Sequence, residues 1–213
     1  MRLAELSERS GVSTAMIKYY LRQGMLAPGR KVGATTAEYD DSHLRRLRLV
    51  RALTEVGRLP VATAKEVIGY VDDDSLDRTM RLGAALWALP HGPDPDDSDE
   101  VVVAARGEVD RLLDMLGWST AREIGELSPD HRALIVAVAT LRRLGYLWDA
   151  ELMAPYAQLM HQAAVRDLDF VETHSSEAEK VEVAVAATIL VDPILRALHR
   201  LAQQEESARR YGL

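Results

Sequence analysis

Four polar or small residues near the start of the chain are spaced to share one face of a helix: Thr14, Ala15, Lys18 and Arg22. Residues three and four positions apart are neighbours on a helix surface. A hydroxyl, a methyl group and two cations on one such face could contact base edges, a thymine methyl group and phosphates in the major groove of DNA. A solvated helix face is the alternative interpretation, and these four residues taken alone favour it.

The elements that must position this face are two short helices separated by a tight turn. Residues 2–10 have apolar side chains at helical spacing, and the pattern resumes over Thr14–Arg22 with Ile17 facing inward. Gly11 can adopt the left-handed conformation that ends the first helix. Ser13 suits the N-cap of the second, because its hydroxyl can accept a backbone N–H. The sequence therefore predicts a helix-turn-helix.

A small β-wing and two further helices are predicted to complete this head. Pro28–Gly33 forms a basic, glycine-bearing turn, and residues 38–39 provide the returning strand. Asp40 then precedes a strongly periodic run that predicts a helix over Asp41–Val56. Gly57 ends that helix, and Pro60 suits the first turn of a fourth one reaching about Val71.

The rest of the chain is predicted to be helical, so the expected fold class is mainly α. Helices are predicted at residues 76–89, 100–117, 128–145, 149–171 and 177–209. A proline-rich acidic break covers residues 90–97, and Pro193 is expected to kink or divide the last helix. Three parts follow: a winged helix-turn-helix domain at 1–72, linking and dimerisation helices at 73–117, and an all-helical effector-type domain at 118–213.

Charge is divided unevenly along the chain. Residues 1–70 hold 12 Lys and Arg against 7 Asp and Glu, whereas residues 71–213 hold 14 against 26. A basic head can bind a polyanion despite the net charge of −7, because electrostatic interactions are local and are screened within about 10 Å at moderate salt.

Composition excludes several kinds of site. The chain has no cysteine, so disulfides, thiolate metal sites and cysteine nucleophiles are excluded. No stretch approaches the roughly 18 apolar residues that cross a bilayer, and no leader pattern opens the chain. We therefore expect a cytoplasmic protein without a membrane partner.

An ordered set of short motifs covers the first third of the chain. The set comprises Leu3-Ala4-Glu5-Leu6, Gly11-Val12-Ser13, Ile17-Lys18-Tyr19-Tyr20, Gly24-Met25-Leu26-Ala27-Pro28, Tyr39, Leu44-Arg45-Arg46-Leu47 and Gly57. In order and spacing these motifs resemble the head of the mercury-resistance-regulator (MerR) family of transcription regulators. The resemblance reverses the interpretation of the exposed row on the second helix, which becomes a DNA-reading face.

The resemblance implies a set of DNA-binding residues. They are Ser13, Thr14, Ala15, Lys18, Tyr19, Tyr20, Arg22, Arg30, Lys31, Tyr39 and Arg58. One of the paired tyrosines resembles a residue that contacts the DNA backbone, and the other should pack inward. Two positions depart from the family pattern. Ala37 stands where the wing commonly carries arginine, and Lys18 keeps the charge of the usual arginine but loses its planar fork.

The resemblance also implies how such a protein would act on double-stranded DNA. It implies a homodimer on a near-palindromic promoter site with an overlong spacer, which the protein bends and untwists so that RNA polymerase can use it. An antiparallel coiled coil joins the protomers of the family. The candidate here is residues 76–89, aided by 100–117, and the proline-rich break departs from an uninterrupted helix.

The acidic body could sense a small apolar or aromatic effector. Candidate pocket residues are Trp118, Tyr146, Trp148, Tyr156 and Phe170, for which ordinary core packing is the alternative interpretation. No cofactor is expected. No metal site is expected either, because the body's histidines at 131, 161, 174 and 199 lack the four-residue spacing of a metal-binding helix face.

Two other classes of function compete with a ligand-controlled regulator. An acid/base site could be assembled from Glu172 and His174 near Asp167 and Asp169, but alternate residues do not share a helix face, so an enzyme is not expected. The other class is an architectural or accessory DNA-binding protein that senses no ligand.

Overall fold

The chain folds into two compact units in a computed structural model that describes residues 1–33 and 36–212. The first, here called the head unit, combines Met1–Leu89 with Phe170–Leu213. The second, the middle unit, is Pro90–Asp169. Apart from the two short wing strands, the regular elements of the described residues are helical, which confirms the predicted fold class.

The head unit contains the helix-turn-helix, the wing and the last helix. Its elements are α1 (Leu3–Ser10), α2 (Thr14–Gln23), β1 (Arg30–Lys31), β2 (Ala37–Glu38), α3 (Asp41–Arg51), a π-helical turn (Ala52–Val56), α4 (Val61–Val71), α5 (Arg78–Trp87) and α10 (Glu177–Tyr211). The two strands are antiparallel, with Arg30 opposite Glu38 and Lys31 opposite Ala37.

The middle unit is a small helical bundle. Its elements are α6 (Glu100–Leu116), α7 (Ser119–Ile124), a 3-10 turn (Gly125–Leu127), α8 (Pro129–Arg143) and most of α9 (Ala150–Glu172), which ends in the head unit. Val109 and Leu113 of α6 pack with Ile135 of α8 and Met153 of α9. His131 is buried in this bundle, where its Nε2 lies 3.6 Å from Asp110 Oδ1 and neither ring nitrogen has a hydrogen-bond partner among the described residues.

Serine hydroxyls cap three of the predicted helices, at Ser13, where a cap is predicted, and at Ser128 and Ser176. The Ser13 hydroxyl accepts from Met16 N at 3.3 Å, and the Ser128 hydroxyl accepts from His131 N at 3.4 Å. Ser176 likewise accepts from Glu179 N at 3.2 Å. Each of these bonds satisfies an amide that the first turn of a helix leaves without a partner.

Asp40 caps α3, whose position fixes the helix-turn-helix. Its carboxylate accepts from Ser42 N at 3.0 Å and from His43 N at 3.4 Å, and His43 Nδ1 lies 3.2 Å from Asp40 N. Hydrogen bonds from the Ser42 hydroxyl and the His43 side chain hold the pKa of this carboxyl well below its ordinary value of 3.8. The ionised form is therefore the one that stabilises the fold.

Replacing Asp40 by alanine should lower the free energy of unfolding by about 1 kcal/mol at neutral pH, because the cap is lost. A carboxyl whose pKa is lower in the folded state than in the unfolded state stabilises the fold at pH values above its unfolded pKa, and this stabilisation is lost as the pH falls. The gap in unfolding free energy between wild type and Asp40→Ala should therefore narrow below about pH 4. Urea unfolding at several pH values measures this gap. Asp40→Asn, which retains a cap without a charge, is the control, and a gap independent of pH would contradict the assigned role.

The last helix completes the core of the head unit. Val181 and Val185 of α10 are buried with the side chains of α3 and α4. A Cβ added to Gly57 would lie 3.1 Å from Ile189 Cγ2 and 2.9 Å from Leu53 O, which shows how closely α10 packs on the end of α3. The Arg46 guanidinium joins the same helices by donating to Glu182 at 2.8 Å and to Asp72 at 2.7 Å.

This packing differs from the predicted division of the chain. Residues 118–213 do not form one separate body, because the apolar face of α10 is buried against the head and leaves the middle unit as 90–169. Helix α5 is only ten residues long and packs on α4 and α10, with Arg81 buried and donating to Val71 O at 3.0 Å. Pro193 does not divide α10, which runs from Glu177 to Tyr211.

Candidate nucleic-acid interface

Helix α2 buries one face and exposes the other. Ile17 and Tyr20 point into the core, with 0% and 5% of their surfaces exposed. The predicted DNA-reading residues are on the opposite side, and all of them are exposed: Thr14, Ala15, Lys18 and Arg22. The N-terminal end of the helix is capped by Ser13, which is itself exposed. The structure thus brings the predicted row together on one solvent-facing surface.

The turn between α1 and α2 is held by a local hydrogen-bond network. The Ser7 hydroxyl donates to Val12 O at 2.6 Å, and Val12 N donates to the Ser10 hydroxyl at 3.2 Å. Gly11 at the turn has φ +68°, a conformation in which glycine is favoured. From α3, the Arg51 guanidinium donates to Ser10 O at 2.9 Å and so fixes the turn to the following helix.

Sequence reasoning missed the role of Arg51. It is one of several arginines along α3, and nothing in their spacing distinguishes the one that reaches back to the turn. Its partner is 41 residues away in the chain, so only the packing of α3 against α1 brings the two groups together.

The paired tyrosines have different environments. Tyr20 lies in the core, whereas Tyr19 is half-buried at the surface and its ring centroid is 5.8 Å from that of Tyr20. The sequence left open which ring faces inward. In this structure Tyr20 packs inward, so Tyr19 is the one whose surface position suits a contact with the DNA backbone.

The two cations on the wing strands differ, because within the described residues one has an ion-pair partner and the other has none. Arg30 donates to Glu38 across the strands at 2.5 Å, whereas Lys31 is exposed. Tyr39 does not share this surface, because its ring is 8% exposed and packs edge-on against His43 with centroids 5.1 Å apart. Gly29 is required beside it, since an added Cβ would lie 2.9 Å from the Tyr39 ring.

Arg58 lies just before α4 in an unusual backbone conformation. Its φ of +53° is one that residues other than glycine adopt at a cost, and its side chain is exposed. Among the residues that the structure describes, Arg58 shares with Lys18, Arg22 and Lys31 the absence of a carboxylate partner. Unpaired cations of this kind can neutralise phosphates without first breaking an ion pair.

The predicted effector residues do not form one cluster. The rings of Trp148 and Tyr156 are in contact in the middle unit, with centroids 5.3 Å apart and planes tilted by 34°. The Trp118 ring centroid lies 6.0 Å from that of His161. Tyr146 is 63% exposed in the same unit. Phe170 belongs to the head unit, where its ring packs on His174.

Two of the residues considered for acid/base chemistry, Glu172 and His174, are engaged in structural contacts. Glu172 accepts from Lys180 at 2.6 Å and lies 2.8 Å from the Arg78 guanidinium. The hydrogen bond from Lys180 lowers the pKa of this carboxyl, which makes it a poorer base. His174 Nδ1 lies 3.2 Å from the carbonyl oxygens of Phe170 and Val171.

The fold and the exposed row define a winged helix-turn-helix protein, and comparison with known families agrees. The family model described as "MerR HTH family regulatory protein" matches residues 1–70. Residues 1–70 therefore carry a helix-turn-helix domain of the MerR family, as the sequence predicts.

Curated relatives match this domain. "Heavy metal-dependent transcription regulator 2" of Rhizobium meliloti is 33% identical over 75 residues, and "HTH-type transcriptional regulator HmrR" of Sinorhizobium medicae is 32% identical over 75 residues. In each case the match covers 35% of this chain and 50% of the relative, so the chain spans about half the length of these relatives.

A solved structure matches the whole chain. SCO5550 of Streptomyces coelicolor A3(2), a protein assigned as a transcriptional regulator, is 69% identical with a TM-score of 0.88, over 100% of this chain and 99% of that one.

Two further observations concern metals and membranes. Within residues 1–33 and 36–212, no group of three or more His, Asp or Glu side chains is arranged to hold a metal ion. None of the helices in the described part of the chain combines the length and apolar character needed to cross a membrane.

Proposed function

We propose that this chain is a sequence-specific transcription regulator that binds double-stranded DNA through the exposed face of α2 and the wing. The observation that supports it most strongly is the exposed row of Thr14, Ala15, Lys18 and Arg22 on a helix that Ser13 caps. Lys18 and Arg22 have no carboxylate partner among the described residues. An α-helix fits the major groove, and residues near its N-terminal end reach base edges. Lys31 and Arg58 are placed to contact flanking phosphates.

Replacing Lys18 by alanine should weaken DNA binding about tenfold and reduce the salt dependence of the association constant by about one phosphate contact. Tyr19→Phe should weaken binding less, because it removes only one hydroxyl. Mobility-shift titrations at several salt concentrations, beside thermal melting, measure both effects. Arg166→Ala is the matched control, since it removes one exposed positive charge from the middle unit. Unchanged affinity in both head variants would contradict the assigned face.

The proposed regulator acts as a homodimer, and the surface of α10 supports this helix as the dimerisation element. Leu190, Ile194, Leu198 and Leu201 recur at helical spacing and are 41–58% exposed. A helix of 35 residues is about 52 Å long, and an exposed apolar row along it favours pairing with another helix. Helix α5, part of the candidate region from the sequence, is only ten residues long and already packs against α4 and α10.

A dimer of this kind would bind a near-palindromic promoter site. Two-fold symmetry of the protein is mirrored in the two half-sites of the DNA. As in the family that the head resembles, we propose that binding bends and untwists the site so that RNA polymerase can use it. Such a deformation costs several kcal/mol, which the contacts of two heads can offset.

The middle unit is proposed to bind a small apolar or aromatic effector. The ring pair of Trp148 and Tyr156 offers a partly exposed apolar surface, and Leu152, one turn before Tyr156 on α9, is exposed as well. Mass spectrometry of protein purified from its native host would detect a retained molecule, and Trp148→Ala should abolish its retention. Retention that is unaffected by this variant would place the effector elsewhere.

A further inference from the structure

A groove in the head unit lies between α3 and α10 and has a volume of about 320 Å³. This volume is at the lower end of the range of small-molecule sites. The walls of the groove are mainly apolar and include Leu49, Phe170, Val183, Ala187 and Leu190. Phe170 and Leu190 are 57% and 41% exposed, so apolar surface of the groove is open to a ligand.

Helix α10 contributes to this groove a different face from the one that it buries. Val181 and Val185 face the core of the head, whereas Val183, Ala187 and Leu190, at steps of four and three residues, line the groove. The side chain of Ala187 is a single methyl group, which leaves room between α10 and α3. A larger side chain at this position should fill that space.

Both carboxylates that line the groove already lie beside a cation. The Arg46 guanidinium donates to Glu182 at 2.8 Å, and Arg45 Nε lies 3.7 Å from Glu179 Oε1. The Ser175 hydroxyl also donates to Glu179 at 3.3 Å. These contacts compensate both negative charges, so the groove does not suit a cationic ligand.

Two guanidinium groups of the groove retain unused donors. Arg48 is exposed and has no ion-pair partner in the part of the chain that the structure describes. Arg45 Nε is buried, and no acceptor among the described residues lies within hydrogen-bond distance of it. An N–H that is buried without an acceptor is costly, and the oxygen of a bound anion would satisfy it.

The charge and the walls of the groove together define a class of ligand. One cation without a counter-charge, Arg48, suits a ligand that carries one negative charge, and a carboxylate matches the planar guanidinium. The apolar walls suit a hydrocarbon body, because its removal from water favours binding.

We propose that the groove between α3 and α10 binds an apolar monocarboxylic acid, whose body lies against Phe170 and Leu190 and whose carboxylate pairs with Arg48. The residues of this site belong to the head unit, so it is not the effector surface proposed for the middle unit. Neither a dimer nor bound DNA is needed to form it. The bound acid would contact α3, whose Arg51 donates to Ser10 O at the turn of the helix-turn-helix.

Calorimetric titration of the full chain with 2-naphthoate, an aromatic monocarboxylate, tests the site. The wild-type protein should bind one molecule per chain in a saturable way. The neutral analogue 2-naphthamide has the same rings without the charge, and it should bind about tenfold more weakly because a charge-assisted hydrogen bond is lost.

Variants at two positions separate the charge from the cavity. Arg48→Ala should weaken the binding of 2-naphthoate about tenfold and leave that of 2-naphthamide unchanged, whereas Arg48→Lys should retain part of the affinity. Ala187→Phe should abolish the binding of both molecules, because its ring fills the groove. Arg166→Ala removes an exposed cation from the middle unit and is the control, which should bind both molecules as the wild type does. Thermal melting checks that each variant is folded.

Three results would overturn this site: no saturable binding of 2-naphthoate, equal affinity for 2-naphthoate and 2-naphthamide, or an unchanged affinity for 2-naphthoate in Arg48→Ala. Loss of binding in Trp148→Ala, with Arg48→Ala and Ala187→Phe unaffected, would place the acid in the middle unit instead. Binding that appears only in a monomeric variant would show that a second copy of the chain occupies the groove, which also contradicts the assigned ligand.

Discussion

Replacing Ile194 by glutamate is expected to convert the protein into monomers and to weaken its binding to a two-half-site DNA about 100-fold or more. Ile194 belongs to the exposed apolar row of α10 and is itself 55% exposed in the single chain. In a dimer formed through this row, both copies would place a carboxylate in an apolar interface, where burial of an unpaired charge is costly. Loss of the second head then removes the avidity of bivalent binding.

Light scattering and mobility shift measure the two consequences separately. Val103→Glu, which puts the same charge on a similarly exposed position of α6, is the control and should stay dimeric and bind DNA. A dimeric Ile194→Glu protein would contradict the role of α10. A monomer that binds DNA with unchanged affinity would instead contradict the requirement for two heads.

Replacing Arg46 by alanine is expected to lower the free energy of unfolding by about 3 kcal/mol. Arg46 lies between Asp72 after α4 and Glu182 of α10, and the side chains of Arg46 and Glu182 are only 16% and 12% exposed. Removal of the guanidinium leaves the Glu182 carboxylate largely buried without a counter-charge. The head core is the site affected, because these groups join α10 to α3 and α4.

Denaturant unfolding measures this effect. Arg48→Ala removes an exposed arginine that lies two residues further along α3 and has no ion-pair partner in the described part of the chain, so it should change stability by less than about 0.5 kcal/mol. The double variant Arg46→Met, Glu182→Leu should recover most of the loss, because apolar replacement of both partners is often neutral. If Arg46→Ala and Arg48→Ala unfold alike, Arg46 does not hold α10 on the head.

Local features of the fold could be predicted from the sequence because their causes are local. Ser13, Ser128 and Ser176 begin helices where they are predicted to, since the cap and the amide it satisfies are two or three residues apart. The predicted end at Gly57 is also confirmed, although the last turn before it is π-helical, and its close approach to Ile189 explains the need for glycine.

The return of α10 to the head could not be predicted in this way. The spacing of Val181 and Val185 indicates a buried face but not what covers it, and their partners on α3 and α4 are more than 100 residues away. For the same reason the sequence predicts that Phe170 shares a pocket with the aromatic residues of the body, although it lies in the head unit. Helix α7 has no buried residue, so its sequence has no apolar pattern from which the helix could be predicted.

The candidate DNA-binding face, like the fold, could be predicted from the sequence only in part. The exposed row on α2 follows from helical spacing once Ile17 is assigned to the core. The distinction between Tyr19 and Tyr20 does not, because adjacent residues on a helix differ by 100° and either could lie at the edge of the buried face. The resemblance implies that Tyr39 contacts DNA, but its ring is buried in the core beside Gly29 and His43.

Selection of bound duplexes from a fully randomised DNA pool tests the central claim most directly. The full chain, at low salt, should enrich an inverted repeat whose half-sites are read by α2, and Lys18→Ala should change or lose the preferred bases while Arg166→Ala leaves them intact. Failure to enrich any sequence, or the same sequence enriched equally by the wild type and Lys18→Ala, would contradict the account.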